Sequence, residues 1–239
     1  MDPAYADGYR TLYEQHWWWR ARERLVWDQL QALCRRPGRE RILDIGCGDG
    51  LFFGRLSSLG EVEGLEPWAP ISSDQSHLTI HRCPLSDFEP AERFSLILML
   101  DVVEHLDDPV ADVRHALSLL EPGGAMLITV PAFRLLWTRH DDINLHRTRY
   151  TRASFRRLAA ESGLRIEHER YFFHWAFAAK LLLRAAQALR PGEPVPEVVP
   201  AAPINRALLA LCRAEQRLLG PLPVPFGSSL MVVGRAHEG

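Results

Sequence analysis

The stretch 41–50, Arg-Ile-Leu-Asp-Ile-Gly-Cys-Gly-Asp-Gly, constrains the fold more than any other part of the chain. Its apolar start reads as a short buried strand, and Gly46, Gly48 and Gly50 at alternate positions read as a tight turn after it. Glycine there lets the backbone adopt φ > 0 and approach a ligand closely. A helix leaving that turn, read over 51–59, offers unpaired N–H groups and a positive dipole end, which suit a carboxylate or phosphate. Glu66 ends the next strand, read over 62–66, where a carboxylate can accept both hydroxyls of a ribose. A dinucleotide fingerprint needs its third glycine where this chain has Leu51, so the turn suits a smaller ligand without a pyrophosphate.

Further apolar runs at 78–82, 94–100, 125–130, 164–172 and 229–234 read as strands, and 9–33, 109–120 and 152–162 read as helices. Strands and helices alternating at this spacing make βαβ units and a doubly wound parallel sheet. Asp107-Asp108-Pro109 reads as the N-cap and first residue of a helix, and Gly163 as a helix end. Two apolar-rich helices, 174–190 and 204–219, joined by the proline-rich stretch 191–196, separate the last two strands, where a plain α/β domain has a short loop. The organisation is therefore a helical lid (1–38), an α/β domain (39–172), a helical insertion (173–227) and a closing strand (228–239).

Composition narrows the function classes. At 239 residues, 47% hydrophobic and 24% charged, the chain can bury a sizeable core and is neither disordered nor a disulfide scaffold. A net charge of −2 argues against a broad nucleic-acid footprint. Lys180 is the only lysine, so single arginines carry little information. Cys34, Cys47, Cys83 and Cys212 are widely spaced, without a C-x-x-C pair or zinc-like spacing, which reads as a reduced, cytoplasmic protein. Neither a signal-peptide pattern nor a span of ~20 uncharged apolar residues is visible.

Segments 41–50, 64–67, 94–109 and 120–130 together resemble the class I S-adenosylmethionine-dependent methyltransferases. Within them, the run from Asp101 through Glu104 and His105 to Pro109 is similar to the small-molecule branch that includes ubiquinone-biosynthesis O-methyltransferases. The resemblance covers 40–135, with a looser continuation through 170. It implies a Rossmann-like seven-stranded α/β fold with a helical insertion before the last strand, and S-adenosyl-L-methionine as cofactor. By the same resemblance Gly46, Cys47, Gly48 and Gly50 hold the methionine moiety through backbone, and Asp44 reaches its amino group. Glu66 binds the ribose, Pro67 and Trp68 flank the adenine, and Leu85 and Ser86 meet its edge. Leu100 and Asp101 lie beside the sulfonium, and no metal is required.

The acceptor is expected at 137–150, which concentrates two His, two Asp, three Arg and a Tyr in 14 residues. Arg147, Arg149 and Tyr150 are the candidate acceptor contacts, with Trp18 and Trp19 as part of the lid. His146, ahead of His140 and His105, is the candidate base for a hydroxyl, because an imidazole titrates near pH 7. A solvated loop at 137–150 and an aromatic core edge at Trp17–19 remain open at this level, as does a metal reading of His140, Asp141 and His146. On helix 174–190, Lys180, Arg184 and Gln187 form a polar stripe. Helix 204–219 sets Ile204, Ala207, Leu208, Leu211 and Leu218 opposite Arg206, Arg213 and Arg217. Such helices sit on anionic lipid, pack on the domain, form a homodimer seam or cap the substrate. The expected partner is a small-molecule or lipid-linked acceptor, not nucleic acid. The rival reading is a non-catalytic binding module that works through the insertion.

Overall fold

The computed structural model describes residues 10–68, 77–189 and 198–237; the stretch 191–196 and the chain start lie outside them. Seven strands are formed: β1 (Glu40–Ile45), β2 (Gly60–Leu65), β3 (Ile80–His81), β4 (Phe94–Leu100), β5 (Leu120–Pro131), β6 (Leu164–Phe172) and β7 (Ser229–Ala236). They make one sheet in the order β3-β2-β1-β4-β5-β7-β6, parallel except for β7, which runs antiparallel to both neighbours. The helices are α1 (Trp17–Leu33), α2 (Phe53–Leu56), α3 (Pro109–Ser118), α4 (Arg139–Ile143), α5 (Arg152–Ser162), α6 (His174–Leu189) and α7 (Ala202–Leu219).

The central strand explains why the sheet is covered on both faces. Residues 94–99 of β4 are all buried, as a continuous apolar run in a parallel sheet requires. Successive side chains point to opposite faces. Ile97 and Met99 join one core with Leu43, Phe155 and Leu230, while Leu96 and Leu98 join the other with Leu25, Leu30 and Leu209. Truncating Leu98, fully buried at this centre, to alanine is expected to cost about 2–5 kcal/mol.

Helix α5 and strands β4 and β6 have the bounds their patterns predict. Asp108 caps α3 by accepting from the Ala111 amide at 3.0 Å, and Gly163 closes α5 in the left-handed region at φ 85°. Elsewhere tertiary contacts override local pattern. The first helix is interrupted at His16, where Asn205 of α7 accepts from the Trp17 amide (2.8 Å) and donates to the Gln15 carbonyl (2.7 Å). The helix expected over 51–59 contracts to α2, since the glycine turn takes its first residues and Ser57 returns its hydroxyl to the Phe53 carbonyl. The strand expected over 125–130 starts earlier, so Pro122-Gly123-Gly124 lies inside β5, at an irregularity in the β4–β5 register.

The insertion leaves and re-enters the sheet at one edge. Phe172, the last residue of β6, pairs with Ser229, the first of β7, and Ser229 also pairs with Pro131 at the carboxyl end of β5. Helices α6 and α7 therefore arise at the same edge as the glycine turn. On α7 the residues facing inward are Asn205, Leu209, Cys212 and Glu215. Ile204, Leu211 and Leu218 are left 57%, 46% and 72% exposed, so the expected apolar face is the outer one.

Candidate active site

The carboxyl edge of β1 ends in the expected turn. Gly46, Gly48 and Gly50 all have positive φ (74°, 59° and 77°), where an L side chain is strained. A Cβ on Gly46 would lie 2.5 Å from Val102, and one on Gly50 2.6 Å from Leu78, whereas space beside Gly48 is open. The turn is thus closed on the protein at both ends and open in the middle. Asp44, 4% exposed, underlies it; burial pushes its carboxyl up to about 7, with Arg22 opposing and Glu66 reinforcing the shift. Glu66 spans the opening, accepting from the Gly48 amide (3.2 Å) and the Trp68 amide (3.0 Å). Burial, then Asp44 and Glu66, push the Cys47 thiol up, so it contributes bulk and backbone rather than reactivity.

Asp101 follows β4 at φ 56°, a strained position for a residue other than glycine. Its Oδ2 meets Arg22 at 2.6 Å, and its Oδ1 accepts from the Thr129 hydroxyl at 3.2 Å. Arg22 reaches across from α1, buried, with its guanidinium 5.6 Å from the ring centroids of both Trp18 and Trp19. Further along the N-terminal segment, Arg10 pairs with Asp49 of the glycine turn at 2.8 Å. The segment is therefore fastened over the ends of β1 and β4 by two ion pairs. Trp18 and Trp19 are half-buried, 4.9 Å apart edge to face, and Trp18 also lies 5.8 Å from Phe173.

Beyond β5, the segment 137–150 is a folded structure rather than a loose loop. Thr138 and Asp141 form a capping box at the start of α4. Asp141 is fully buried and carries most of the organisation: its Oδ1 faces His146 Nδ1 (2.8 Å) and accepts from Arg149 Nε (2.7 Å), while its Oδ2 accepts from the Thr138 amide (2.8 Å). Burial alone would favour the neutral acid, but the bonds from His146, Arg149 and Thr138 hold Asp141 well below the usual carboxylate range. The His146 ring lies 4.8 Å from the His105 ring, edge to face. Burial, helped by His146, lowers the pKa of His105. Beneath the pair Glu104 is 1% exposed; burial and Asp101 raise its carboxyl well above the usual range.

Several expected contacts lie elsewhere. Arg149 is interior, held by Asp141 and the Ala132 carbonyl. Tyr150 is buried against Phe155, and burial pushes its phenol up to about 12. Both brace the segment rather than meet an acceptor. Arg147 is exposed and bonds the His105 carbonyl (3.0 Å) and Asp107 (2.6 Å). His140 is exposed with its Nε2 3.0 Å from Asn144, and is not part of the His105–His146 pair. Leu85 belongs to the core, the Ser86 hydroxyl donates to Asp87, and Trp68 is 78% exposed. Pro67 sits between Glu66 and Trp68, and Leu100 is half-buried at the end of β4. Arg22 and Glu104 escaped the sequence reading as site residues, and Asp141 entered it only in the metal reading. Arg22 falls on the buried stripe of α1 with Ala21, Leu25 and Val26, and a charge on a buried stripe is the signal that could have found it.

Comparison with known proteins agrees with this geometry. Residues 18–169 match the family model described as a methyltransferase domain. The ubiquinone biosynthesis O-methyltransferase of Bradyrhizobium diazoefficiens is 39% identical over 101 residues, covering 38% of this chain and 40% of that protein. The match thus spans about two fifths of that relative's length. Among solved structures, a chain of the complex of the Haloferax volcanii Trm112 methyltransferase activator superposes with a TM-score of 0.58 at 18% identity, covering 99% of this chain and 96% of the other. Phosphoethanolamine N-methyltransferase 2 of Haemonchus contortus, solved with S-adenosyl-L-methionine, gives 0.55 at 16% identity, over 89% of this chain and 53% of the other. The cradle at Gly48, with a buried carboxylate below and Glu66 across its mouth, fits an amino-acid-bearing nucleoside. The chain belongs to the methyltransferase domain family, with the fold of the class I S-adenosylmethionine-dependent methyltransferases.

Proposed function

We propose that the chain methylates an oxygen of a small-molecule or lipid-linked acceptor bound between the lid and the segment 132–150. The observation that carries this reading is the Asp141–His146 pair at 2.8 Å, set with His105 at the carboxyl edge of the sheet. S-adenosyl-L-methionine supplies a methyl already activated on sulfonium, so the protein's task is to align the nucleophile and remove its proton. Asp141 takes His146 by Nδ1, fixes its tautomer and leaves Nε2 as the basic nitrogen. Asp44, Gly46, Gly48, Gly50 and Glu66 hold the cofactor, with Cys47, Pro67, Leu100 and Asp101 lining its site. Trp18, Trp19 and Arg147 border the acceptor. The named relative acts in ubiquinone biosynthesis as an O-methyltransferase, which supports an oxygen acceptor.

The insertion is the proposed contact with an anionic membrane surface. Among the described residues no helix is long and apolar enough to cross a membrane. Ile204, Leu211 and Leu218 recur every seventh residue on the exposed side of α7, flanked by the exposed Arg206, Arg213 and Arg217. The one acid of the helix, Glu215, is buried and accepts from the Trp175 amide. A twofold seam along this stripe would set arginine against arginine, whereas anionic lipid complements it. The test of the reaction is incubation with methyl-labelled S-adenosylmethionine and a lipid and small-molecule extract. Label in a product whose methyl is cleaved as an ether supports oxygen transfer; label only on nitrogen or carbon refutes it.

A further inference from the structure

The outer side of α1 carries a charge arrangement that methyl transfer does not use. Arg20 and Arg24 stand one turn apart on the exposed face, opposite the stripe that buries Arg22. Like charges at this spacing destabilise a helix. Arg55 of α2 and Arg213 of α7 converge on the same place, and with Tyr13, Glu14 and Glu23 these residues line a cleft of about 270 Å³. Four guanidiniums thus face two carboxylates. Glu23 is committed to Arg55, whose Nε it meets at 2.8 Å, and that guanidinium lies 5.7 Å from the Trp27 ring centroid. Among the described residues, none of Arg20, Arg24 and Arg213 has a carboxylate within 4.0 Å.

We propose that this cleft binds the phosphoryl group of a phosphate monoester, carried by a soluble molecule or by a lipid headgroup. The two positive charges left without carboxylates match a phosphate dianion. Guanidinium forks meet phosphate oxygens two at a time, which a point charge cannot do. The volume falls short of the roughly 300–1,000 Å³ of drug-sized ligand pockets, so the cleft takes a phosphoryl group with a short stem and excludes a dinucleotide. The site is separate from the cofactor's, because Asp101 meets the other side of α1 through Arg22.

The arginines belong to three elements: α1 of the lid, α2 directly after the glycine turn, and α7 of the insertion. A bound anion ties these together and holds the lid against the carboxyl edge of the sheet. Tyr13 carries the tie inward: its ring lies 6.1 Å from that of Trp19, which lies 5.6 Å from the guanidinium of Arg22. The phosphoryl anion and S-adenosylmethionine therefore strengthen each other's binding, by the same factor in both directions. This coupling rests on the cofactor reading above; the anion site does not.

The test is calorimetric titration of the full chain with inorganic phosphate and with glycerol 3-phosphate, at about pH 8 and fixed ionic strength. One equivalent of each should bind. Arg20→Gln combined with Arg24→Gln should weaken both at least tenfold, and Arg213→Gln severalfold, whereas Arg157→Gln, exposed on α5, should bind as the wild type does. All four side chains are exposed, and circular dichroism checks folding; without phosphate, removing the α1 pair should leave Tm unchanged or raise it. Vesicles containing phosphatidic acid separate the two sources. Sedimentation lost in the Arg20–Arg24 double variant identifies a lipid headgroup; sedimentation retained there, with glycerol 3-phosphate binding lost, identifies a soluble ester. Absence of stoichiometric phosphate binding to the folded wild-type chain overturns the proposal, as does unchanged affinity in the double variant or an equal loss in Arg157→Gln. Saturating glycerol 3-phosphate should tighten S-adenosylmethionine at least fivefold, and an unchanged affinity refutes the coupling. Phosphate binding by a chain that takes no S-adenosylmethionine would keep the site and refute the cofactor reading instead.

Discussion

Arg22 of the N-terminal helix lies 2.6 Å from Asp101 at the end of the fourth strand, so that helix supplies a buried cation to the carboxyl edge of the sheet. Asp44, Asp101 and Glu104 all feel that charge or contact it. Replacing Arg22 by Met should destabilise the protein by about 3 kcal/mol, the low end for a broken buried pair, because Asp101 stays a quarter exposed. In a chain this long that is a fall of roughly 8 °C in Tm, read by calorimetry. An unchanged Tm would show that the pair is incidental.

Asp44 links cofactor binding to pH. In the free protein burial puts its pKa at about 7, while an ammonium beside it needs the carboxylate. Binding below pH 7 must therefore release a proton, and affinity should fall about tenfold for each pH unit below 7 and level off above it. Titrations at pH 6 in buffers of different ionisation enthalpy will show the released proton as a buffer-dependent heat. Arg22→Met should move the plateau to higher pH, since Arg22 is the group that opposes the shift.

Glu66→Ala should weaken S-adenosylmethionine binding by about 1–3 kcal/mol, the range for a charge-assisted hydrogen bond. Thermal melting controls for its two bonds to backbone amides. A folded variant with wild-type affinity removes Glu66 from the ribose site.

His146→Gln should keep cofactor affinity and lose turnover by a typical 10²–10⁴-fold, whereas His140→Gln, whose ring turns to Asn144, should turn over normally. Equal loss in both would dissolve the distinction drawn from the geometry.

Leu211→Glu together with Leu218→Glu should lower partition onto vesicles containing phosphatidylglycerol at least tenfold, without touching cofactor affinity. Both residues are largely exposed, so stability should change little. Sedimentation of the wild type with neutral vesicles alone should show weak binding.

Local signals carried the α/β frame and the glycine turn into the sequence, because each is written in contiguous residues. Buried β4, capped α3 and glycine-closed α5 are of this kind. The break at His16 was not legible, since its cause is Asn205, far along the chain. Arg149 and Tyr150 looked like acceptor contacts because charge density in a segment says nothing of which charges fold inward onto Asp141. Glu104 sat inside a motif already singled out, but its lack of partners is a property of three dimensions only.

The most direct test of the central claim is calorimetric titration of the intact chain with S-adenosylmethionine, with a nicotinamide dinucleotide as comparison. One equivalent of S-adenosylmethionine should bind at neutral pH and the dinucleotide should not. No binding of S-adenosylmethionine at millimolar concentration, or binding of the dinucleotide in its place, would contradict the account.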